Sequence, residues 1–541
     1  MPDRMGHRYL FKKAQVVDGL NNKPFIADVA VESGCIIAIG DFTANDDAVE
    51  IDAEDLILCP GFIDIHSHID STLRLNNKCL NLVAQGITTA VGGNCGNSVA
   101  PNYGESVERR RQRRQSDENP LSRQYDVWEG SLREWMTEVR QVGTGVNVMM
   151  LAGQGSVRGS VVGIEAERPA SEDEILQMQQ LVRASLEAGA VGISTGRDYV
   201  PGCYATADEV TSVCEPLREY DGAFYACHLK DEASGLLDAI REALQIGRNL
   251  AVPVQISHHK VMIPENWGKI DESLSLVDSE SSSGRQVRLD VYPYAFSATI
   301  PLMDLLSPWF VSGGREKSLH RLQNKTEFPR LRQDMESGYP GWKSSLGDFD
   351  WGYTILLSPH TEQYEGRTIK EIALSENSEP IEVLRQLLLK NSGEVLCAFA
   401  MDEEDVKKVI QHQDSAICTD TFALDIRQSG FSGVHPRTYG TYPRLFSHYV
   451  FKQQTLTLPE AVYKCSGLPA QWLGLSDRGV IREGAAADLV VFNPADLKDR
   501  ATLHQPCQYP DGIEWVLVGG QAVVAEGELV GETPGQVLDA R

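Results

Sequence analysis

His66 and His68 stand one residue apart at the close of the apolar run Phe62-Ile63-Asp64-Ile65, which follows Pro60-Gly61. On a strand, residues two apart face the same way, so the pair presents two imidazoles from one strand end, as a metal site requires. Cys95 lies in Gly92-Gly93-Asn94-Cys95-Gly96-Asn97, directly after the strand-like Ile87-Thr88-Thr89-Ala90-Val91. The glycines would expose its sulfur. Beside a divalent cation such a thiol ionises and becomes a ligand; otherwise Cys95 is a small residue in a tight loop. His228 ends the run from Gly222 to Cys227, and His258 ends the run from Val252 to Ser257. Their thirty-residue separation is about one strand–helix repeat, which places two imidazoles on adjacent strand ends. By strand alternation His259 points away, while Lys260 shares the face of His258. Asp420 follows the run from Ser415 to Thr419. A carboxylate there either caps a helix or, with a metal upstream, takes a proton from water as general base.

These residues need a frame that gathers strand ends. The middle of the chain alternates apolar strands, such as Val146 to Leu151 and Val252 to Ser257, with amphipathic stretches such as Glu172 to Ala188 and Gly235 to Arg248. Alternation over this length predicts an α/β fold, a (β/α)8 TIM barrel spanning 59–478, in preference to an open doubly wound sheet. The polar residues above follow the strands, on the C-terminal face where such barrels do chemistry. Both chain ends read as β-rich: Tyr9-Leu10-Phe11, Val29-Ala30-Val31 and Cys35 to Ile39 at one, Asp488 to Phe492 and Glu514 to Val518 at the other. They predict one small β-sandwich domain built from 1–58 and 479–541. Two stretches interrupt the alternation, near 101–140 and near 295–385, the second holding Trp309, Gly313-Gly314, Trp342 and Trp351. Long insertions of this kind often serve as lids or binding loops.

Composition excludes several classes. The 541 residues are 42 % hydrophobic and 23 % charged, a soluble globular balance. No apolar run reaches the roughly 18 residues of a membrane span, and the polar start lacks a secretory stretch, so the expected location is cytoplasmic. A net charge of −26 argues against a nucleic-acid surface. The basic run Arg109-Arg110-Arg111-Gln112-Arg113-Arg114 leads into Ser116-Asp117-Glu118-Asn119-Pro120 and reads as a solvated helix end. The eleven cysteines form no CxxC pair and are expected to be reduced and mostly buried.

Taken together, the segments resemble the D-aminoacylase (N-acyl-D-amino-acid deacylase) family of the amidohydrolase superfamily. The likeness runs through Gly61 to His68, Gly93-Asn94-Cys95-Gly96, and Ser194-Thr195-Gly196 with Tyr199 and Pro201-Gly202. It continues through His228, Gln255-Ile256-Ser257-His258 with Lys260, and Asp290-Val291-Tyr292-Pro293-Tyr294. It ends with His435 to Thr441, Ala485 to Phe492 and Tyr509 to Ile513. The resemblance implies a tight zinc held by Cys95, His228 and His258, with His66 and His68 forming a second, weaker position that shares Cys95. It implies Asp420 as the catalytic aspartate. It also implies that Lys260, Tyr199, Tyr292 and Ser297 bind the substrate carboxylate and nearby groups. The chain departs from the family at Thr419-Asp420-Thr421, His228-Leu229-Lys230, Gly153-Gln154 and Arg197. The arginine is expected either to pair with an anionic group of the substrate or to lie on the surface.

The expected reaction is metal-assisted hydrolysis of the amide of an N-acyl-D-amino acid, a small molecule with a free carboxylate. Two other readings remain. One is a cyclic amidase of the hydantoinase or dihydropyrimidinase type, which usually bridges two metals with a carboxylated lysine where this chain has Cys95. The other is a barrel that has lost its metal and acts as a scaffold. The oligomeric state is not legible.

Overall fold

The computed structural model describes residues 8–42, 48–116, 125–164, 166–297, 300–311, 315–324, 326–337, 351–357, 363–364, 366–390, 395–426 and 434–539. Asp117 to Pro120, Gly313-Gly314 and Trp342 lie outside them.

Eight parallel strand positions make the barrel. In chain order they are Phe62–Asp64, Ile87–Gly92, Asn147–Met150 continued by Ala152–Gly153, Gly192–Gly196, Phe224–His228, Val254–Ile256, Val287–Val291 and Ser415–Ile417. Each pairs in parallel with the next. The third position carries the sheet across, its first part pairing with Ile87–Gly92 and its second with Gly192–Gly196. The ring closes at the top. Asp420 N donates to His66 O at 2.9 Å, His68 N to Thr421 O at 2.7 Å, and Thr419 N to Asp64 Oδ1 at 2.9 Å.

The strands are short and almost wholly buried because both faces are covered, which explains their continuous apolar runs. Ile63, Val91, Met149, Leu151, Phe224, Ala226 and Ala416 fill the barrel interior. Helices cover the outside and start where the sequence offers caps. Ser131 with Glu134 and Ser171 with Glu174 form capping boxes that open Leu132–Val142 and Glu172–Glu187. The first of these helices buries Trp135, Met136 and Val139 against the strands.

Strands from both chain ends form one nine-stranded sheet. At its centre Ile57–Pro60 pairs with Leu489–Phe492 on one side and Arg8–Val16 on the other. Phe11, Val29, Val31, Leu58, Leu489, Val491 and Leu517 make its core.

The long interruption after the seventh barrel strand is a unit with its own core. Ile300–Pro301, Thr354–Leu356 and Leu396–Phe399 form a small antiparallel sheet, and Leu302, Phe310, Leu331, Leu384 and Leu388 pack beside it. It therefore runs to Phe399, past the expected end near 385, because its last strand returns to pair with the first. No helix among the described residues is long and apolar enough to cross a membrane.

Candidate metal centre

Every expected ligand, and the expected base Asp420, sits at the C-terminal end of a barrel strand. His66 and His68 follow the first, Cys95 the second, His228 ends the fifth, and His258 and Asp420 follow the sixth and eighth. Cys95, His258 and Asp420 hold left-handed backbone, with φ of 52°, 33° and 49°. Non-glycine residues adopt this conformation at a cost, and functional sites are where such strain collects.

The donor atoms converge. Cys95 Sγ lies 3.3 Å from His66 Nε2 and 3.3 Å from His258 Nε2. His228 Nδ1 lies 2.8 Å from His258 Nε2. Asp420 Oδ1 lies 3.0 Å from His68 Nε2 and 3.6 Å from His66 Nε2. Three overlapping groups keep their donor atoms within 4.8 Å of one another: His66–His68–Cys95, Cys95–His228–His258 and His66–His258–Asp420. Donors bound to one tetrahedral zinc stand roughly 3.5 Å apart, so this spacing, the thiolate and the imidazoles fit a divalent ion of zinc type. Cys95 belongs to the first two groups and bridges them.

Buried carboxylates lie behind the outer ring nitrogens of two histidines. His66 Nδ1 stands 3.0 Å from Asp290 Oδ1, and His258 Nδ1 stands 3.1 Å from Glu232 Oε1. A carboxylate behind the ring favours the proton on His66 Nδ1 and turns its Nε2 toward the metal position, whereas His258 Nδ1 also lies 2.7 Å from the Lys260 ammonium, which can only donate to it. Burial pushes the Cys95 thiol up, but the fields of His66 and His258 win and hold it well below its usual range. Burial likewise opposes ionisation of Asp420, and Arg437 overrides it, keeping the carboxyl well below the usual carboxylate range.

The remaining predicted residues divide. Tyr292 is buried, and its hydroxyl has no partner among the described residues. Tyr199 is 49 % exposed at the mouth, its ring 4.7 Å from that of His228. Lys260 is buried, donating to Glu232 Oε1 at 2.6 Å and His258 O at 3.0 Å. Ser297 Oγ accepts from Phe399 N at 3.0 Å, tying the barrel rim to the inserted sheet. Arg197 requires a correction. It neither faces the substrate position with a free fork nor lies on the surface: it is buried, ion-paired with Glu242, and donates from Nε and Nη2 to Ala205 O at 3.2 and 2.9 Å. It pins the loop bearing Tyr199 to the helix Leu236–Leu250. His259 does point away, to Ser273 Oγ at 2.8 Å, and burial lowers its pKa to about 3.

Three residues went without a role in the sequence reading: Asp290, Glu232 and Arg437. Arg437 Nη2 donates to Asp420 O at 2.6 Å and pairs with Asp420 Oδ2 at 3.0 Å. Its Nη1 is buried with no partner among the described residues, and its guanidinium carbon lies 4.5 Å from the Tyr292 ring centroid. Unpartnered buried donors are rare; here Arg437 Nη1 and the Tyr292 hydroxyl share one corner beside Asp420, with the Lys260 ammonium 5.9 Å from the same ring. The signal for Arg437 was its place in His435-Pro436-Arg437. The signal for Asp290 was a carboxylate inside an apolar strand.

Comparison with known proteins places this architecture. The amidohydrolase family model matches residues 49–279 and 420–524. The N-acyl-D-aspartate deacylase of Alcaligenes xylosoxydans xylosoxydans is 33 % identical over 98 % of this chain and 94 % of its own length. The D-aminoacylase of the same organism is 33 % identical over 97 % and 96 %. The crystal structure of N-acyl-D-glutamate deacylase from Bordetella bronchiseptica, complexed with zinc and a phosphonate inhibitor that mimics the tetrahedral intermediate, superposes with a TM-score of 0.78. It is 29 % identical and covers 98 % of this chain and 99 % of that one. With the barrel and its donor cluster, these similarities establish that the chain belongs to the amidohydrolase family, among the N-acyl-D-amino-acid deacylases.

Proposed function

We propose that the protein hydrolyses the amide bond of N-acyl-D-amino acids in a metal-dependent reaction, releasing a carboxylate and the free D-amino acid, with the residues that follow as its machinery. The observation that carries this reading is the juxtaposition of a Cys–His donor cluster, an ionised aspartate and a corner of unpartnered donors.

Cys95, His228 and His258 are the tight ligands, and His66 and His68 form a second, weaker position that shares Cys95. The mixed thiolate and imidazole set favours zinc. A divalent ion held there would polarise the scissile carbonyl and lower the pKa of water. Asp420 Oδ1 takes the proton of the attacking water and returns it to the leaving amine nitrogen, so one carboxylate serves as base and then acid. Arg437 keeps that carboxylate ionised before the reaction. Arg437 Nη1 and the Tyr292 hydroxyl receive the α-carboxylate of the substrate in a charge-assisted pair. Lys260 adds positive field, though its ammonium is shared with Glu232. Fixing the carboxylate on one side and the carbonyl on the other leaves one hand of Cα with its amide in place, which selects the D-substrate. Tyr199 stands at the mouth, where it covers the bound acyl group.

The partner is thus a small molecule with a free carboxylate. We place the enzyme in the cytoplasm, where the eleven cysteines of the sequence would stay reduced. The substitution Asp420→Asn tests the assignment: metal content stays close to wild type and turnover is abolished. Retained turnover would remove Asp420 from its role.

A further inference from the structure

The reaction as drawn has no use for Asp70, which is fully buried two residues beyond His68. Asp70 Oδ1 accepts from Gly93 N at 2.9 Å, and Asp70 Oδ2 accepts from Val99 N at 2.8 Å. Those amides stand at the two ends of the loop that carries Cys95. We propose that Asp70, together with Ser194, is the positioning clamp of the metal centre, gripping this loop so that the Cys95 sulfur is held where a cation binds. The proposal rests on the reading of Cys95 as a metal ligand.

The loop needs holding. Gly93, Cys95 and Gly96 have φ of 79°, 52° and 71°. Three left-handed residues in four make a turn with no repetitive hydrogen bonding of its own, and for Cys95 that conformation is disfavoured. The loop cannot relax sideways either. A Cβ on Gly93 would stand 2.1 Å from Leu151 O, and one on Gly96 would stand 2.5 Å from Gly196 N. The loop is therefore packed backbone to backbone against the third and fourth strand positions.

Its polar groups are met from three directions. Asp70 takes the two outer amides. From the fourth strand position, Ser194 Oγ accepts from Gly96 N at 2.9 Å and donates to Gly93 O. From within the loop, Asn94 Nδ2 donates to Ser67 O at 3.2 Å and Val91 O at 3.0 Å. Ser67 lies between the two histidines, so the clamp ties the Cys95 loop to the His66–His68 segment at both Ser67 and Asp70. A sulfur that serves two metal positions needs a fixed place relative to both.

The chemistry requires a carboxylate at position 70. Two backbone N–H groups at opposite ends of a loop need two acceptor oxygens on one rigid group. Asparagine has nearly the same shape but supplies one acceptor, and its NH2 would face an N–H. Asp70→Asn thus opens one end of the loop without creating a cavity. Groups that orient metal ligands typically alter affinity by about 10- to 100-fold when changed, and that is the loss expected here.

The test uses the full chain, stripped of metal, as wild type, Asp70→Asn, Ser194→Ala and Cys95→Ser. Zinc affinity is read by competition with a chromophoric chelator. Loading with Co2+ reads the sulfur directly, through the near-ultraviolet thiolate-to-cobalt charge-transfer band. The expected result is a band in wild type, none in Cys95→Ser, and about 10- to 100-fold weaker zinc binding in Asp70→Asn and Ser194→Ala, each with a weakened or shifted band and unchanged circular dichroism. A folded Asp70→Asn with wild-type affinity and a wild-type band overturns the proposal. If Asp70→Asn does not fold, Ser194→Ala decides on the same criteria. A band that survives in Cys95→Ser refutes the ligand reading itself, which separates that failure from failure of the clamp.

Discussion

Replacing Arg437 by lysine tests how the substrate carboxylate is held. The guanidinium has two separable jobs: Nη2 pairs with Asp420 Oδ2 at 3.0 Å, and Nη1 is buried with no partner among the described residues, the guanidinium carbon lying 4.5 Å from the Tyr292 ring centroid. Lysine keeps a positive charge near Asp420, so the buried carboxylate is not left uncompensated, a change that in general costs about 3–5 kcal/mol. Lysine cannot fork, so the arm toward the substrate is lost. A hydrogen bond to a charged group contributes about 1.5–3 kcal/mol, which at about 1.4 kcal/mol per tenfold is a drop in kcat/KM of about 10- to 150-fold. The assay pairs each enzyme with an N-acetyl-D-amino acid and with its α-carboxamide. The carboxamide has no anion to receive, so Arg437→Lys should lose far less on it, and the two losses form a cycle that isolates the contact. Equal losses on both substrates would refute the contact and leave Arg437 as support for Asp420 alone.

Three further outcomes follow from the geometry. Arg197→Met should lower thermal stability by leaving Glu242 and Ala205 O without their donor, while the ratio of activities on N-acetyl-D-aspartate and N-acetyl-D-methionine stays unchanged; a selective loss on the aspartate would restore Arg197 to the substrate. At the start of the helix Glu172–Glu187, Ser171→Ala should cost about 1 kcal/mol in denaturant melts. There the Arg168 hydrogen bond, followed by the Ser171 amide, lowers the pKa of Glu174 from 4.5 to about 2. A depressed carboxylate pKa stabilises the fold above pH 4.5, and that contribution is lost as pH falls toward 2. The stability gap between wild type and Glu174→Gln should therefore narrow over that range, and a constant gap would contradict the assignment.

The parts of the site that were legible share one property: each announced itself locally. His66, Cys95, His228, His258 and Asp420 each follow an apolar run, so strand periodicity placed them at barrel ends without knowledge of their partners. Glu232 gave no such sign, and Asp290 showed only as a carboxylate inside an apolar strand, because their work is to sit behind rings elsewhere in the sequence, and only the closed barrel brings Asp290 to His66. Arg197 was misread for the same reason. Its partner Glu242 lies on the helix beyond the next strand, and a lone arginine before a tyrosine carries no trace of that pairing. The insertion was visible as broken alternation, but its end was not, since Leu396–Phe399 belongs to it through antiparallel pairing with Ile300–Pro301. The helix caps, by contrast, were written in the Ser-x-x-Glu spacing of Ser171 and Glu174.

The central claim is a metal-dependent, D-selective amide hydrolysis at the Cys95–His228–His258 cluster. Its most direct test is chiral analysis of a racemic N-acetyl amino acid incubated with the metal-stripped protein and then with the same protein reloaded with zinc. The account predicts no reaction before reloading and, after it, conversion of half the substrate, with only the D-amino acid released. Release of the L-amino acid, or turnover by the stripped protein, would contradict it.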